Sequence, residues 1–482
     1  MLKPMLINNI YNNIYLTAKS SDEKVAVYQG PQKYTYKELL SNINYSIDKI
    51  RENFFQPGYR VGIFIKNSIE AYSSMIAVAL LDGTYVPLPV DDPAARLSKI
   101  ISQAKLDIII YDPYLSKVIE EVKGQLEGIM PTWMESSSNY SQLIFKSTFS
   151  RTEKFPLYIM FTSGTTGLPK GVLIKDESVN NFLCWAKKYL EVNEKDIYLA
   201  HSRLTFDLSV FNMYLPLLTG GSIVVVSSKL EQMYPGDLLN KVTIALIVPR
   251  VTGLMLEAKQ FQKDFYKKLR HIIFCGEKLY ASQVKIWREN CPHIEIHNIY
   301  GPTEATVTCT YFRIKTRDSF SDPIPVGSLI PNMFINFLDE KLNVITGETT
   351  GEAIISGVGV SAFDYCGQET NCFFEHPVLG RCYKTGDLLY RDQKENLFWL
   401  SRIDDQIKIK GFRVELSEIE AILSKNNKIK DLVCIYSQEK QEISVVFSLV
   451  ENTEYKKIIP ELQQIAILQL PDYMRPLNYY IL

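Results

Sequence analysis

The chain has 482 residues, of which 46% are hydrophobic and 22% charged, with a formal net charge of -1. That length exceeds what one core serves and predicts about three domain-sized units of an ordinary soluble globular protein. A charge so close to zero gives no electrostatic case for nucleic acid or an anionic membrane as partner. The longest apolar run, near Met75–Leu81, is far too short to cross a bilayer. The opening residues lack the uninterrupted apolar stretch of a signal peptide. Eight cysteines without Cys-x-x-Cys spacing fit a reduced, cytoplasmic setting.

In chain order, Leu6, Ile7, Ile10, Tyr11, Ile14 and Tyr15 fall at helical spacing and predict an amphipathic first helix. Lys24–Tyr28 reads as a strand, Tyr34–Leu39 opens a helix running to about Ile50, and Tyr59–Ile65 is a buried strand. Ser68–Leu81 is helical and Thr84–Leu88 again strand-like. This alternation predicts an α/β architecture: layered, mostly parallel sheets with helices. Asp176 is placed to cap a helix carrying Val179, Phe182, Leu183, Ala186 and Leu190. Gly220-Gly-Ser222 lies between a helix and the strand Ile223–Val226, so a connecting turn is expected rather than a modified serine. Ile244–Val248 and Ile272–Phe274 read as further buried strands. Cys291, His293 and His297 have loose metal-ligand spacing, but the period-two alternation of His293–His297 is explained by a half-buried strand. Gly347–Gly351 and Gly357–Gly359 punctuate a strand-rich subdomain. Near residue 401 the chain turns polar and charged, and a small α+β unit follows, with strands Asp431–Tyr436 and Ile443–Val450 and a helix Pro460–Leu468. The expected division is 1–402 and 403–482.

Between the apolar runs Tyr158–Phe161 and Val172–Ile174 lies Thr162-Ser-Gly-Thr-Thr-Gly-Leu-Pro-Lys-Gly171. Gly164, Gly167 and Gly171 free backbone N–H groups to approach an anion. Ser163, Thr165 and Thr166 add hydroxyl donors, and Lys170 adds a point charge. Such a loop suits a polyphosphate. It is not a Walker loop, because Lys170 is followed by Gly171 and an apolar run instead of leading into a helix.

Residue for residue, this stretch resembles the phosphate loop of the adenylate-forming superfamily, which includes acyl-CoA synthetases, luciferases and amino-acid adenylation domains. Asn298-Ile-Tyr-Gly-Pro-Thr-Glu-Ala-Thr306 is a second specific match. Leu80–Leu97 also resembles the family and is given a structural role. The resemblance implies that Thr162 to Lys170 hold the β- and γ-phosphates of ATP, with Asn298 and the stacking aromatic Tyr300 at the nucleotide. It implies that Thr303 contacts the α-phosphate and that Glu304 ligates Mg²⁺, a hard cation that prefers oxygen. Asp387 then binds the ribose with help from Arg402, and Asp404 is the hinge about which a small C-terminal domain rotates between two reaction steps. Ser401 stands where the family usually has glycine.

Asp207, in Phe206-Asp-Leu-Ser-Val-Phe211, matches the aspartate that pairs with an amino acid's ammonium group. A carboxylate in apolar surroundings needs such a cation. The resemblance places Leu208, Phe211, Val251, Ile273, Cys275, Ile299, Val307 and Thr308 around the side chain. None is charged, so a small neutral substrate such as alanine or proline is expected. Leu470-Pro-Asp-Tyr-Met-Arg-Pro476 matches the family's C-terminal motif, but the sequence ends at Leu482, before the Asn-Gly-Lys that follows it in the family. The expectation is a chain cut short of that lysine. Loss of such a cation lowers a rate by about 10²–10³, and Lys408 and Lys410 are the cations nearby in sequence. The implied activity is aminoacyl-AMP formation from ATP with release of pyrophosphate, then loading of a phosphopantetheine carrier protein. D-alanine–carrier-protein ligase is one alternative, since Phe274-Cys-Gly-Glu277 resembles that group. A catalytically impaired nucleotide-binding module is another.

Overall fold

The computed structural model describes the chain from Ile10 onward, apart from residues 54, 129, 137–150, 153, 165–167, 263–264, 316–321, 367–369, 410, 439 and 451–456. Local chemistry sets many element boundaries. The helix Tyr36–Glu52 starts two residues later than its periodicity suggests, because Thr35 forms a reciprocal capping box with Glu38. The residues before it, Gln32–Thr35, extend a sheet instead. Asp176 is the first residue of the helix Asp176–Tyr189, not its cap, and its carboxylate is held 2.5 Å from Arg151 Nε. Ser68 does cap Ile69–Leu80, accepting from the Ala71 N–H.

Two large sheets form the body. The first has nine strands, in the order Ser328–Leu329, Thr310–Ile314, Glu295–Tyr300, His271–Phe274, Ile244–Ile247, Ile197–Ala200, Ser222–Val225, Val25–Gln29 and Gln32–Thr35. Its central pairings are parallel, while the pairings at both ends are antiparallel. The second has six strands, ending in the antiparallel hairpin Tyr158–Thr162 and Lys170–Ile174. Five helices, Ile10–Ser20, Tyr36–Glu52, Ile69–Leu80, Asp176–Tyr189 and Leu208–Thr219, share one apolar core with the facing sides of both sheets. Alternate residues serve opposite faces: Ile244 and Leu246 enter that core, while Ala245 and Ile247 enter another on the far side. Burial on both faces explains why these strands read as unbroken apolar runs.

An antiparallel sheet of six strands built on Thr349–Gly357 and Gly380–Arg391 follows. The last part consists of the hairpin Gln406–Ile409 and Phe412–Glu415, the helix Leu416–Leu423, and the strands Ile429–Ser437, Glu442–Leu449 and Asn478–Ile481, with the helix Ile458–Gln469. It has its own core, drawn from Ile409 to Met474. No helix among the described residues is long and apolar enough to cross a membrane.

Candidate active site

The phosphate-loop hairpin pairs Thr162 with Lys170 in register, so the loop's two shoulders are fixed by sheet hydrogen bonds. Thr165, Thr166 and Gly167 lie outside the described residues. At Gly164 the backbone passes so close to its own return that a Cβ would stand 2.0 Å from the Leu168 carbonyl oxygen. Gly164→Ala is therefore expected to open the loop, weakening ATP binding at least about tenfold while leaving the melting temperature within a few degrees. Calorimetry and thermal denaturation check both.

The described groups of this loop are occupied by the segment Arg413–Glu418. The Gly164 N–H donates to Glu418 Oε2 at 3.3 Å, and Ser163 Oγ donates to the Arg413 carbonyl at 2.8 Å. Lys170 Nζ stands 3.9 Å from Glu415 and 5.6 Å from the centre of the Tyr365 ring. Glu418 is fully buried and also paired with Arg96, which in turn meets Asp92. Two carboxylates thus lie against the donors that the sequence assigns to phosphates.

The opposite charge is matched as well. Glu304 is fully buried, and both its oxygens accept from Arg413 Nη1 at 2.9 Å. The Tyr365 hydroxyl donates to Oε1 at 2.6 Å. Burial pushes the Glu304 carboxyl up, but Arg413 and Tyr365 outweigh it and hold the group below the usual range. A carboxylate that takes a guanidinium here offers the oxygen donors a hard divalent cation requires, so the residues fit Mg²⁺.

Asp207 sits one residue before the buried helix Leu208–Thr219 and makes no cap bond with it. Its carboxyl lines a cavity of about 130 Å³ together with Thr162, Ser163, Leu208, Cys275, Tyr300 and Thr303. Burial pushes its pKa up to about 6, with the nearby Glu304 carboxylate adding to the rise and the polar groups of Thr303, Leu208 and Val307 opposing it. Thr306 and Val307 both hold positive φ, 60° and 67°. This is a costly conformation for β-branched residues, kept where the surroundings over-determine it. The Thr306 hydroxyl donates to the Gly359 carbonyl, and the Thr308 hydroxyl donates to Tyr300 and Thr310 carbonyls.

The same cavity continues to Asp387 and Arg402. Asp387 faces Arg402 across paired strands and accepts from the Tyr300 hydroxyl at 2.6 Å, Trp399 Nε1 at 3.0 Å and Arg402 Nη1 at 3.0 Å. Arg402 also reaches Asp404, whose half-exposed carboxylate accepts from the Gln406 N–H.

Not every expected residue meets this cavity. Asn298 and Ile299 line a neighbouring one, where Asn298 Nδ2 donates to the Pro325 carbonyl, and Val251 lines a third. Phe211, Ile273 and Val307 lie in the core between the sheets, and Thr308 is buried with its hydroxyl committed. Lys408 borders the cavity, whereas Lys410 is outside the described residues. Arg413, Glu415, Glu418, Tyr365 and Trp399 carry no role in the sequence reading. The one available signal was the density of charge from Arg413 to Glu420.

Layered sheets, the hydroxyl-rich hairpin and the cavity lined by Asp207, Tyr300 and Thr303 define an adenylate-forming type of protein. The chain belongs to the AMP-binding enzyme family, whose model matches residues 15–362. It is 29% identical over 477 residues to a mycosubtilin synthase polypeptide of Bacillus subtilis, covering 97% of this chain and 18% of that protein. It is also 29% identical over 469 residues to bacitracin synthase 1 of Bacillus licheniformis, covering 95% of this chain and 9% of that protein. The chain thus spans under a fifth of the length of either relative. Among solved structures it resembles the Vibrio cholerae adenylation domain AlmE in complex with glycyl-adenosine-5'-phosphate, with a TM-score of 0.86 at 22% identity over 100% of this chain and 96% of that one. It also resembles an artificially fused adenylation–PCP di-domain, NpsA-ThdA, from Klebsiella oxytoca, with a TM-score of 0.81 at 21% identity over 98% and 93%.

Proposed function

We propose that this chain activates a small neutral amino acid, such as alanine or proline, as its aminoacyl-AMP at the expense of ATP. It then passes the aminoacyl group to the phosphopantetheine thiol of a carrier protein in nonribosomal-peptide-type biosynthesis. The observation that carries this reading is Asp207: a buried carboxylate facing a cavity, with hydrogen-bond donors around it but no cation among the charges that shift it. An ammonium group is the partner such a site lacks. Thr162, Ser163, Gly164 and Lys170, with Thr165, Thr166 and Gly167 between them, would hold the phosphates. Tyr300, Asp387 and Arg402 would hold the nucleoside, with Asn298 behind Tyr300.

Bound Mg²⁺, held by Glu304, would neutralise phosphate charge. Thr303 would touch both substrates, since it lines the same cavity as Asp207. Cys275 and Leu208 bound the side-chain space, while Phe211, Val251, Ile273, Ile299, Val307 and Thr308 would shape it from behind. The division at 402/403, with Asp404 as the hinge, belongs to the same proposal and is supported by the separate core beginning at Ile409. The glycyl adenylate held by the Vibrio neighbour supports a small substrate, and the Klebsiella fusion supports a carrier partner.

The test is amino-acid-dependent exchange of pyrophosphate into ATP over a panel of glycine, L- and D-alanine, proline and larger residues. A second readout is calorimetric binding of the matching aminoacyl-sulfamoyl adenosines. Exchange or analogue binding confined to the small neutral members is expected. If no amino acid supports exchange and no analogue binds, the reading is lost; activity with D-alanine alone would move it to the D-alanine ligases.

A further inference from the structure

The strands His271–Phe274 and Glu295–Tyr300 run parallel, with His271 opposite Glu295 and Ile273 opposite His297. Alternation puts His271 and Cys275 on one face, four residues apart. At about 3.3 Å per residue, His271 lies about 13 Å from the cavity end of the strand. At that far end three ligand atoms converge. His271 Nδ1 is 3.1 Å from His297 Nε2, and Glu295 Oε2 is 3.5 Å from the first and 3.8 Å from the second. A triangle with those edges has a point about 2 Å from every corner, the length of Zn–N and Zn–O bonds.

We propose that His271, His297 and Glu295 form a binding site for a divalent transition metal of the Zn²⁺ class, separate from the cavity around Asp207. Two imidazoles and a carboxylate are a borderline donor set that suits zinc better than magnesium, which demands oxygen throughout. Both rings are buried, His297 fully, so the nitrogens they turn toward each other and Glu295 lie away from bulk water. The Tyr189 hydroxyl, 2.8 Å from His297 Nδ1, is the outer partner that orients a metal-binding histidine and leaves Nε2 facing the ion. Glu295 is half-exposed, so the site opens toward solvent on its side. The competing charge is Arg313, whose Nη2 lies 3.2 Å from the same Oε2, whereas nearby Arg270 is committed to Asp196. Bound metal would pin two strands and the helix Asp176–Tyr189 together and stabilise the fold by mass action.

Titration of the purified, metal-stripped chain with zinc chloride tests this, alongside the visible spectrum of the cobalt-loaded protein. One ion per chain is expected, with a rise in melting temperature and tetrahedral cobalt bands. Outer-shell losses alone cost 10–100-fold in metal affinity, so Glu295→Gln and His271→Asn should weaken binding by at least about tenfold. Arg313→Ala should tighten it. Glu295 is exposed enough that Glu295→Gln should retain the native melting profile without metal, which keeps the test meaningful if His271→Asn folds poorly. Absence of stoichiometric zinc binding, or zinc binding unchanged in Glu295→Gln, would overturn the proposal. Tyr189, His297 and His271 would then be a hydrogen-bonded chain and nothing more.

Discussion

Arg413→Met is expected to lower the melting temperature while tightening the binding of ATP with Mg²⁺ by at least about tenfold. In the native arrangement Arg413 is the cation for Glu304, and Glu418 and Glu415 are the anions for Gly164 and Lys170. The C-terminal segment therefore presents a positive charge to the carboxylate proposed for the metal and negative charges to the donors proposed for the phosphates, the same signs a metal-bound polyphosphate would bring. If the phosphates bind as proposed, nucleotide and segment compete for the same groups, and the apparent affinity for ATP should be reduced by the fraction of molecules in which the segment is docked. Removing Arg413 leaves a buried carboxylate unpaired, a loss of about 3–5 kcal/mol for such pairs. Methionine keeps an unbranched side chain and removes the charge together with the N–H donors to Glu304. Added ATP and Mg²⁺ should restore much of the lost stability if the metal is held by Glu304 as proposed. Differential scanning calorimetry with and without nucleotide measures this. A variant with unchanged melting and unchanged ATP affinity would show that the segment does not compete.

Asp207→Asn should lose amino-acid activation by about 10²–10³-fold in kcat/KM, with ATP affinity nearly unchanged. Truncating one partner of a buried charge pair costs about 2–5 kcal/mol, and an amide cannot supply the missing charge. The sign of the pH dependence follows from burial. Asp207 titrates at about 6 in the folded chain against roughly 3.9 in an unfolded one. The folded state therefore holds this proton more tightly, and its contribution to stability falls as pH rises from about 4 to 6. Substrate recognition runs the other way: only the ionised carboxylate pairs with an ammonium, so the KM for the amino acid should climb about tenfold per pH unit below 6. In Asp207→Asn both dependences should vanish. An exchange assay between pH 5 and 8 decides the matter, and a KM that is flat below pH 6 in the native protein would remove Asp207 from the substrate.

What was legible in the chain was local. Thr162 and Lys170 announce themselves because one hairpin carries both, and Tyr300, Thr303 and Glu304 share one turn, so short-range spacing already places them. Cap chemistry was only partly readable: Thr35 and Glu38 form their box, but Asp176 was drawn from its cap position by Arg151. The residues expected around a substrate side chain were least legible. Phe211, Ile273 and Val307 are apolar residues on inward faces, and periodicity marks such a face without distinguishing packed core from cavity.

By itself the sequence determined the layered α/β class and the hydroxyl-rich hairpin, because these depend on neighbours in the chain. Only the tertiary structure decided what the side chains touch. Arg413 reaches Glu304 across 109 residues, Glu418 reaches Gly164 across 254, and the two histidines meet Glu295 only because parallel strands bring them level. Charge pairing is set by distance in space and by exclusion of water, and neither quantity is written in the spacing of residues along a chain.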